Sequence, residues 1–492
     1  MKKIMAILIV IFVVGIFGLS FIEIDKSFEG KEDKNVIYSI DNISKDLKNI
    51  SELSQEEQDI ICATSKGLVE KNIDGKIMPS LAEEVNTKDE GTEYEFIIKD
   101  NIKFSNGENI TAKDIKEFMK ELIEEDENNE FLLNIYGVKN YLLGKVNFED
   151  GVAITTTDNS IKIRLNKADD NFLEELTKPK YRIRRSLAKW ENIKENYKDI
   201  LYSGDYKIVY VDDDKIELKR ENENWKLVFV KNENKELAMA SFEIGDIDIV
   251  KDPPRTEVKR LEAQEKVISL SSNNGLYAFF NNNNKESLSL KNRKEIYKNI
   301  YYATNDYEAD NINFIEGAEG SYFREDKDDL EKMQNRKVII SSILEESDLE
   351  SISILAIDNE FNRDYCKYLK EWTLNNNLKL NYKLISYQEL WETNLDSRYD
   401  LVLLNLNSSI DNKDNYYNMI YKYCNNLFNN KDIKINFNTM DYVTLENELF
   451  NNYEVLPVLY EKSNIAVSEK IENLKYDGNG NIDFSRIVKN NS

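Results

Sequence analysis

Any catalysis by this 492-residue chain must rest on a carboxylate pair, a lysine or a tyrosine, because the sequence contains no histidine. A Ser-His-Asp triad, a Cys-His dyad, HExxH zinc chemistry and the zinc deaminase site all need an imidazole and are excluded. No carboxylate pair has a spacing that marks it as a glycosidase-type acid and base, so the chain reads as a non-enzyme. A hard-cation site built from oxygens stays open in principle. The acidic runs 124–127 and 212–214 nevertheless lack the D-x-[DN]-x-[DN]-G spacing of a calcium loop, and Asn479-Gly480-Asn481 reads as a turn. There is no P-loop and no GxGxxG, so ATP hydrolysis belongs to separate subunits if it is involved at all. No cofactor or metal is expected.

The remaining reactive or charged groups have structural readings. Cys62, Cys366 and Cys424 are few, widely spaced and set in helix-like apolar patterns, which predicts buried free thiols rather than a disulfide framework or zinc ribbon. Against 66 basic residues stand 91 acidic ones, a formal net charge of −25. That field repels phosphate backbones, so no nucleic-acid partner is expected. One basic cluster interrupts it: Lys178, Lys180, Arg182, Arg184 and Arg185, alternating with Tyr181 and Ile183. The alternation predicts a half-exposed strand with a solvated basic face; docking to an acidic patch on a partner or to a ligand carboxylate is the alternative.

These groups must be carried by elements, and the first decides the compartment. Lys2 and Lys3 precede the uncharged apolar run 4–22, which at about 1.5 Å per residue is roughly 28 Å long, enough to cross a bilayer. Segment 1–23 therefore reads as an uncleaved transmembrane anchor or as a cleaved signal peptide, with Gly18-Leu19-Ser20 resembling a cleavage site; a buried core helix is the third reading. Phe21 stands where lipoprotein attachment would need a Cys. Positive charge before the span and Glu23, Asp25 and Glu29 after it place the body outside the cytoplasm, on the extracellular face or secreted. Residues 24–33 form a charged linker.

The body alternates strand-like and helix-like runs, the signature of an α/β protein. Tyr94, Phe96 and Ile98 alternate as in a strand, whereas Ile115, Phe118, Met119 and Leu122 recur at helical spacing. Thr111 with Asp114 three residues on predicts a capping box opening that helix. Further strands are expected at 153–156, 161–165, 207–211, 216–218, 378–385 and 401–404, and a helix at 363–374. A buried strand ending at Leu404 would place the polar stretch 405–414 at its carboxyl end, where open α/β sheets take ligands.

The order of motifs resembles the extracellular solute-binding proteins of family 5, the large peptide-binding subunits of ABC importers. The opening block carries most of the resemblance: Gly67-Leu68-Val69, then the segment 74–83 ending in Pro79-Ser80-Leu81-Ala82-Glu83, then Tyr94-Glu95-Phe96, residues 102–108, and Thr111-Ala112-Lys113-Asp114. It continues at residues 203–207, 219–225, 242–249, 293–300, 455–460 and 480–485, although Glu295 replaces a small residue of the family pattern.

The resemblance implies a two-lobed, class-C periplasmic-binding-protein-like α/β fold: first lobe 34–272 with an inserted subdomain, second lobe 273–457, and a return to the first lobe over 458–492. It also implies a monomer that captures peptides or peptide-like solutes and delivers them to a membrane permease and its ATPase subunits. A Gram-positive envelope suits the tether. The alternative is a receptor or interaction protein that keeps the fold without feeding an importer. Peptides in this family are held as an added strand. Segment 271–280 is the candidate partner strand, with Tyr277 and Asn281 facing the cleft. In the peptide-binding branch an Asp pairs with the ligand's α-ammonium group. Here Ser409 stands at its place, Ile410 at the neighbouring aromatic and Leu406 at the Trp position, while Asp411 and Asp414 lie close by. Ligands other than free-amino peptides are accordingly left open.

Overall fold

The structure is a computed structural model and describes residues 34–48, 53–72, 74–281, 289–324, 336–337, 339–340, 349–392, 398–407, 413–428 and 442–490. The expected anchor and linker, residues 1–33, lie outside the described residues. Among the described residues no helix is long and apolar enough to cross a membrane.

Short-range chemistry sets the elements where the sequence is most explicit. The helix Ala112–Glu125 opens on the expected box: Asp114 N donates to Thr111 Oγ1 (3.3 Å) and Thr111 N to Asp114 Oδ2 (2.9 Å). Two otherwise orphan amides are satisfied in this way. Ile115, Phe118, Met119 and Leu122 line the buried face of this helix. It packs against a four-stranded antiparallel sheet ordered Ala82–Lys88, Glu93–Ile98, Ser160–Arg164, Ile154–Thr156. These elements enclose their own core, from Leu68 to Leu187, as a subdomain.

A mixed sheet of 11 strands runs through both lobes. Its order is Lys379–Ile385, Ser351–Ile357, Leu401–Asn407, Val267–Phe280, Val455–Val467, Ile249–Lys251, Val36–Ile40, Lys226–Lys231, Lys215–Arg220, Tyr206–Val211, with Ile315–Gly317 also pairing to Val455–Val467. The two longest strands, Val267–Phe280 and Val455–Val467, lie side by side, antiparallel, and cross from one lobe to the other. They are the hinge. One large core surrounds their second-lobe halves and another fills the first lobe around Tyr38, Phe229 and Phe484. Phe484 packs on Phe229 at 5.8 Å between ring centroids, so the end of the chain closes the core that the first strand opens.

The basic cluster differs from expectation. Pro179–Tyr181 is a 3-10 turn, not a strand, and Arg184 is fully buried. Lys180 pairs with Glu175 (2.9 Å), Lys178 pairs with the same carboxylate, and Arg185 pairs with Glu108 (2.8 Å). Arg182 donates to the carbonyls of Cys62 (3.1 Å) and Ser65 (3.2 Å) and meets Asp477 at 3.3 Å; Arg184 donates to the Leu47 carbonyl. A guanidinium can be buried when its donors find carbonyls, and here these donors tie the subdomain to the first lobe. Tyrosine and isoleucine alternating with basic residues had mimicked a strand. The three thiols are unpaired, with Cys366 and Cys424 buried as expected and Cys62 partly so.

Candidate functional site

Strand direction points to one place. In the first lobe, Val36–Ile40 is parallel to both Lys226–Lys231 and Ile249–Lys251, and Lys251 lies opposite Ile465 while Ile249 lies opposite Val467. Since Val455–Val467 runs toward the first lobe, the carboxyl ends of these parallel strands face the hinge. In the second lobe, Ser351–Ile357 is parallel to Lys379–Ile385 and to Leu401–Asn407, and Asn407 lies opposite Asn274 at the hinge while Leu401 lies opposite Phe280. Its parallel strands therefore aim their carboxyl ends at the hinge from the other side. Ligand sites of open α/β sheets form outside such ends, where backbone groups are left unpaired.

The hinge itself is bulged. Ser271 pairs with Lys462 but Gly275 with Tyr460, so three residues of one strand, Ser272, Asn273 and Asn274, stand against Glu461 alone. Side chains hold this irregularity: Ser272 Oγ donates to the Glu461 carbonyl (2.8 Å) and Asn274 Nδ2 to Glu461 Oε1 (2.8 Å). The same oxygen takes Asn405 Nδ2 at 2.7 Å. Asn405 is oriented in turn by Asn362 Nδ2, which donates to its Oδ1 at 3.0 Å, while the Tyr387 hydroxyl reaches the Asn405 carbonyl at 3.4 Å. Glu461 thus fastens the bulge to the carboxyl end of a second-lobe strand.

The electrostatics of this cluster follow from burial. Desolvation pushes the Glu461 carboxyl up to about 7, against the pull of Arg255 and of the Asn405 and Asn274 amides. Arg255 starts the helix Arg255–Glu262 after a first-lobe strand, yet its guanidinium lies 4.6 Å from the Phe314 ring centroid and 5.3 Å from that of Phe361 and donates to the Tyr307 hydroxyl at 3.2 Å. On the first-lobe side, Asp252 Oδ1 accepts from Ser463 Oγ (2.9 Å) and Asn464 N (3.1 Å).

One strand edge near this cluster has no strand partner among the described residues. Leu401, Val402 and Leu403 pair with Ile354, Leu355 and Ala356, but no described strand pairs with that edge from Leu404 to Asn407. Tyr387, 43% exposed, stands beside it.

The residues expected from sequence lie differently. Tyr277 and Asn281 are buried in the second lobe: the Tyr277 hydroxyl donates to the Tyr322 carbonyl (2.8 Å), and Asn281 Nδ2 to the Tyr399 carbonyl (2.8 Å). Residues 275–279 are hydrogen-bonded on both edges, to Leu401–Asn407 and to Val455–Val467, so this part of the candidate partner strand has no edge to offer a peptide. Alternation fails there because both faces of the strand are covered. Ser409 and Asp411 lie outside the described residues, and Asp414 falls in the first turn of helix Lys413–Phe428. Of the polar stretch 405–414, Asn405 and Asn407 do reach the hinge. Glu461, Asn274 and Tyr387 carried one faint signal in Glu461, a charge immediately after the apolar run 455–460.

The comparisons with known proteins agree with this architecture. The sequence profile of the bacterial extracellular solute-binding proteins, family 5 middle region, matches residues 76–428. The oligopeptide-binding protein OppA of Bacillus subtilis is 26% identical over 213 residues, 38% of this chain and 37% of OppA. The dipeptide-binding protein DppE of the same organism is 22% identical over 249 residues, 47% of this chain and 45% of DppE. The chain thus spans less than half the length of these curated relatives. Among solved structures, the unliganded open form of the murein tripeptide-binding protein MppA superposes with a TM-score of 0.64 at 14% identity, over 93% of this chain and 98% of MppA. The substrate-binding protein CtaP of Listeria monocytogenes gives 0.64 at 17% identity, over 93% and 100%. At such identities the likeness shows the fold: a mixed α/β protein of two lobes.

Proposed function

Because the chain belongs to the bacterial extracellular solute-binding proteins of family 5, we propose that it captures peptides or peptide-like solutes between its lobes and hands them to a membrane permease powered by separate ATPase subunits. The family is extracellular or periplasmic and its members bind rather than transform their ligands. The observation that carries the reading is the edge of Leu404–Asn407 that no described strand pairs, set where the parallel strands of both lobes end at a bulged hinge. A peptide backbone added along that edge satisfies unpaired strand groups without reading side chains, which gives broad sequence tolerance. Closure about the hinge then removes water from both faces of the ligand. Segment 4–22 either anchors the protein on the extracellular face of a Gram-positive cell membrane or, as a cleaved signal peptide, leaves it secreted.

The purified protein titrated by calorimetry with defined di-, tri- and pentapeptides should give saturable heats, and mass spectrometry of material released on denaturation should show peptides. Folded protein that responds to none of these, and carries none, rejects the proposal. Ser409 at the place of the family's anchoring Asp favours a second reading, a receptor that binds without transport; uptake of a bound peptide by cells carrying the protein separates the two.

A further inference from the structure

We propose that Glu461 is the point at which the cleft recognises a cationic nitrogen of its ligand, an ammonium or guanidinium group. The inference rests on the peptide-binding reading and narrows its substrate class. Glu461 is half-buried, and both amide donors that reach its carboxylate, Asn274 Nδ2 and Asn405 Nδ2, converge on Oε1. Two donors on one oxygen fix the plane of the group and leave Oε2 with no hydrogen bond from the described residues. Glu461 also takes part in no salt bridge among them.

No neighbouring cation among the described residues forms a contact ion pair with Glu461, although Arg255 lowers its carboxyl from a distance and keeps a buried Nη1 without a hydrogen-bond partner. Arg255 lies against Phe314 and Phe361, donates to Tyr307 and stands 3.9 Å from Asp364. Lys462 donates its ammonium to the Ile312 carbonyl at 2.7 Å. The other acid nearby, Asp252, is held by Ser463 and Asn464 and adds negative potential. A carboxylate oriented by amides, open on one oxygen and lacking a contact counter-ion, becomes costly to keep ionised once closure expels water. A ligand cation on Oε2 removes that cost. Asn405, one of the two donors to Glu461, also accepts from the Tyr387 hydroxyl through its carbonyl and belongs to the stretch Leu404–Asn407 that no described strand pairs on the edge away from Val267–Phe280.

The state of the carboxyl supports this geometry. In the absence of ligand, burial holds it near 7, with Arg255, Asn405 and Asn274 lowering and Asp252 raising it. A bound cation favours the ionised form. Binding a cation near neutral pH therefore releases a proton, and affinity rises as pH increases toward and through about 7.

The cation comes from the peptide's amino terminus or from a basic side chain, and the arms of one experiment distinguish them. Calorimetry of the full-length protein and of Glu461→Gln is run with trialanine as its C-terminal amide, N-acetyl-trialanine amide and N-acetyl-Ala-Lys-Ala amide, in two buffers of different ionisation enthalpy. Gln keeps an acceptor for Asn274 and Asn405 but removes the charge. The expected result is a loss of about tenfold or more on substitution for the cationic ligand, with proton release in the wild type that the variant lacks. The acetylated neutral peptide should bind equally to both. Loss for trialanine assigns the amino terminus; loss confined to the lysine peptide assigns a side chain. If peptides bind and neither acetylation nor the substitution changes affinity, the inference falls and the peptide-binding reading stands. If none of the three binds to either protein, the inference falls, and the peptide-binding reading is decided by the wider peptide set and by the material released on denaturation. Even if the variant folds poorly, the wild type tests the inference: one of the two cationic peptides should bind more tightly than the neutral acetylated one and release a proton near pH 7, and equal affinity of all three without proton release overturns it.

Discussion

Gly275 sits where the first hinge strand leaves the bulge, and adding one methyl group there tests whether the crossing is as closely packed as the structure shows. The Cβ of an alanine would lie 2.7 Å from Cε2, 2.8 Å from the hydroxyl oxygen and 3.0 Å from Cζ of Tyr277, the residue two positions on along the same face. That ring cannot swing away: it is fully buried, its hydroxyl is spent on the Tyr322 carbonyl, and Tyr416 packs 5.6 Å away between ring centroids. Overpacking of this kind costs about 1–3 kcal/mol. At a strand position with room, Gly→Ala stabilises by about 0.4–1 kcal/mol through the unfolded chain. The two effects have opposite signs, so the sign alone decides. Gly275→Ala is expected to destabilise by about 1–2 kcal/mol net, read as a lower urea midpoint at unchanged slope. Tyr277→Leu removes the colliding atoms and is itself costly, about 3–5 kcal/mol for a buried aromatic ring, but Gly275→Ala added to it should cost nothing further or stabilise slightly. The cycle therefore predicts a coupling of at least about 1 kcal/mol between the sites. Equal effects of Gly275→Ala in both backgrounds, or a stabilised single variant, would refute the packing argument.

Two further outcomes are expected in the first lobe. Asp248, almost fully buried, accepts from Ile37 N (2.9 Å) and from Lys489 Nζ (2.8 Å), joining the first strand to Val488–Lys489; Asp248→Ala should cost about 3–5 kcal/mol in denaturant unfolding, and the apolar pair Asp248→Leu with Lys489→Met should recover only part of it, because Ile37 N then loses the carboxylate and the Asn35 carbonyl loses the ammonium. Asp59 is buried among Ile482 N, Gln55 and the Tyr38 hydroxyl, and desolvation raises its carboxyl from the usual range to about 7. The folded state then binds a proton that the unfolded chain has lost between about pH 4 and 7, so first-lobe stability should fall as pH rises through that window. Melting temperatures across it should show that slope flattened in Asp59→Asn, and an unchanged slope would count against the assignment.

What the sequence determined by itself was local or cumulative. The missing imidazole removed whole classes of catalysis without any coordinates. Helix Ala112–Glu125 was legible because its capping box and its apolar spacing are both properties of neighbouring residues, and the order of many weak motifs was enough to name the family. The apolar run 401–404 was legible as a strand, and the structure extends it to Asn407, with its carboxyl end at the hinge. Tertiary structure decided everything that depends on which segments lie side by side. Tyr277 reads as cleft-facing by alternation, but a strand covered on both faces has no outward side. Lys178 to Arg185 read as a basic surface, but a guanidinium can be buried wherever distant carbonyls and carboxylates reach it, as those of Cys62, Ser65 and Asp477 reach Arg182. Glu461 acquires its meaning from Asn274 and Asn405, which lie 187 and 56 positions away along the chain. Only the pairing of Val267–Phe280 with Val455–Val467 on one edge and with Leu401–Asn407 on the other brings those three side chains together, and no local periodicity records that meeting.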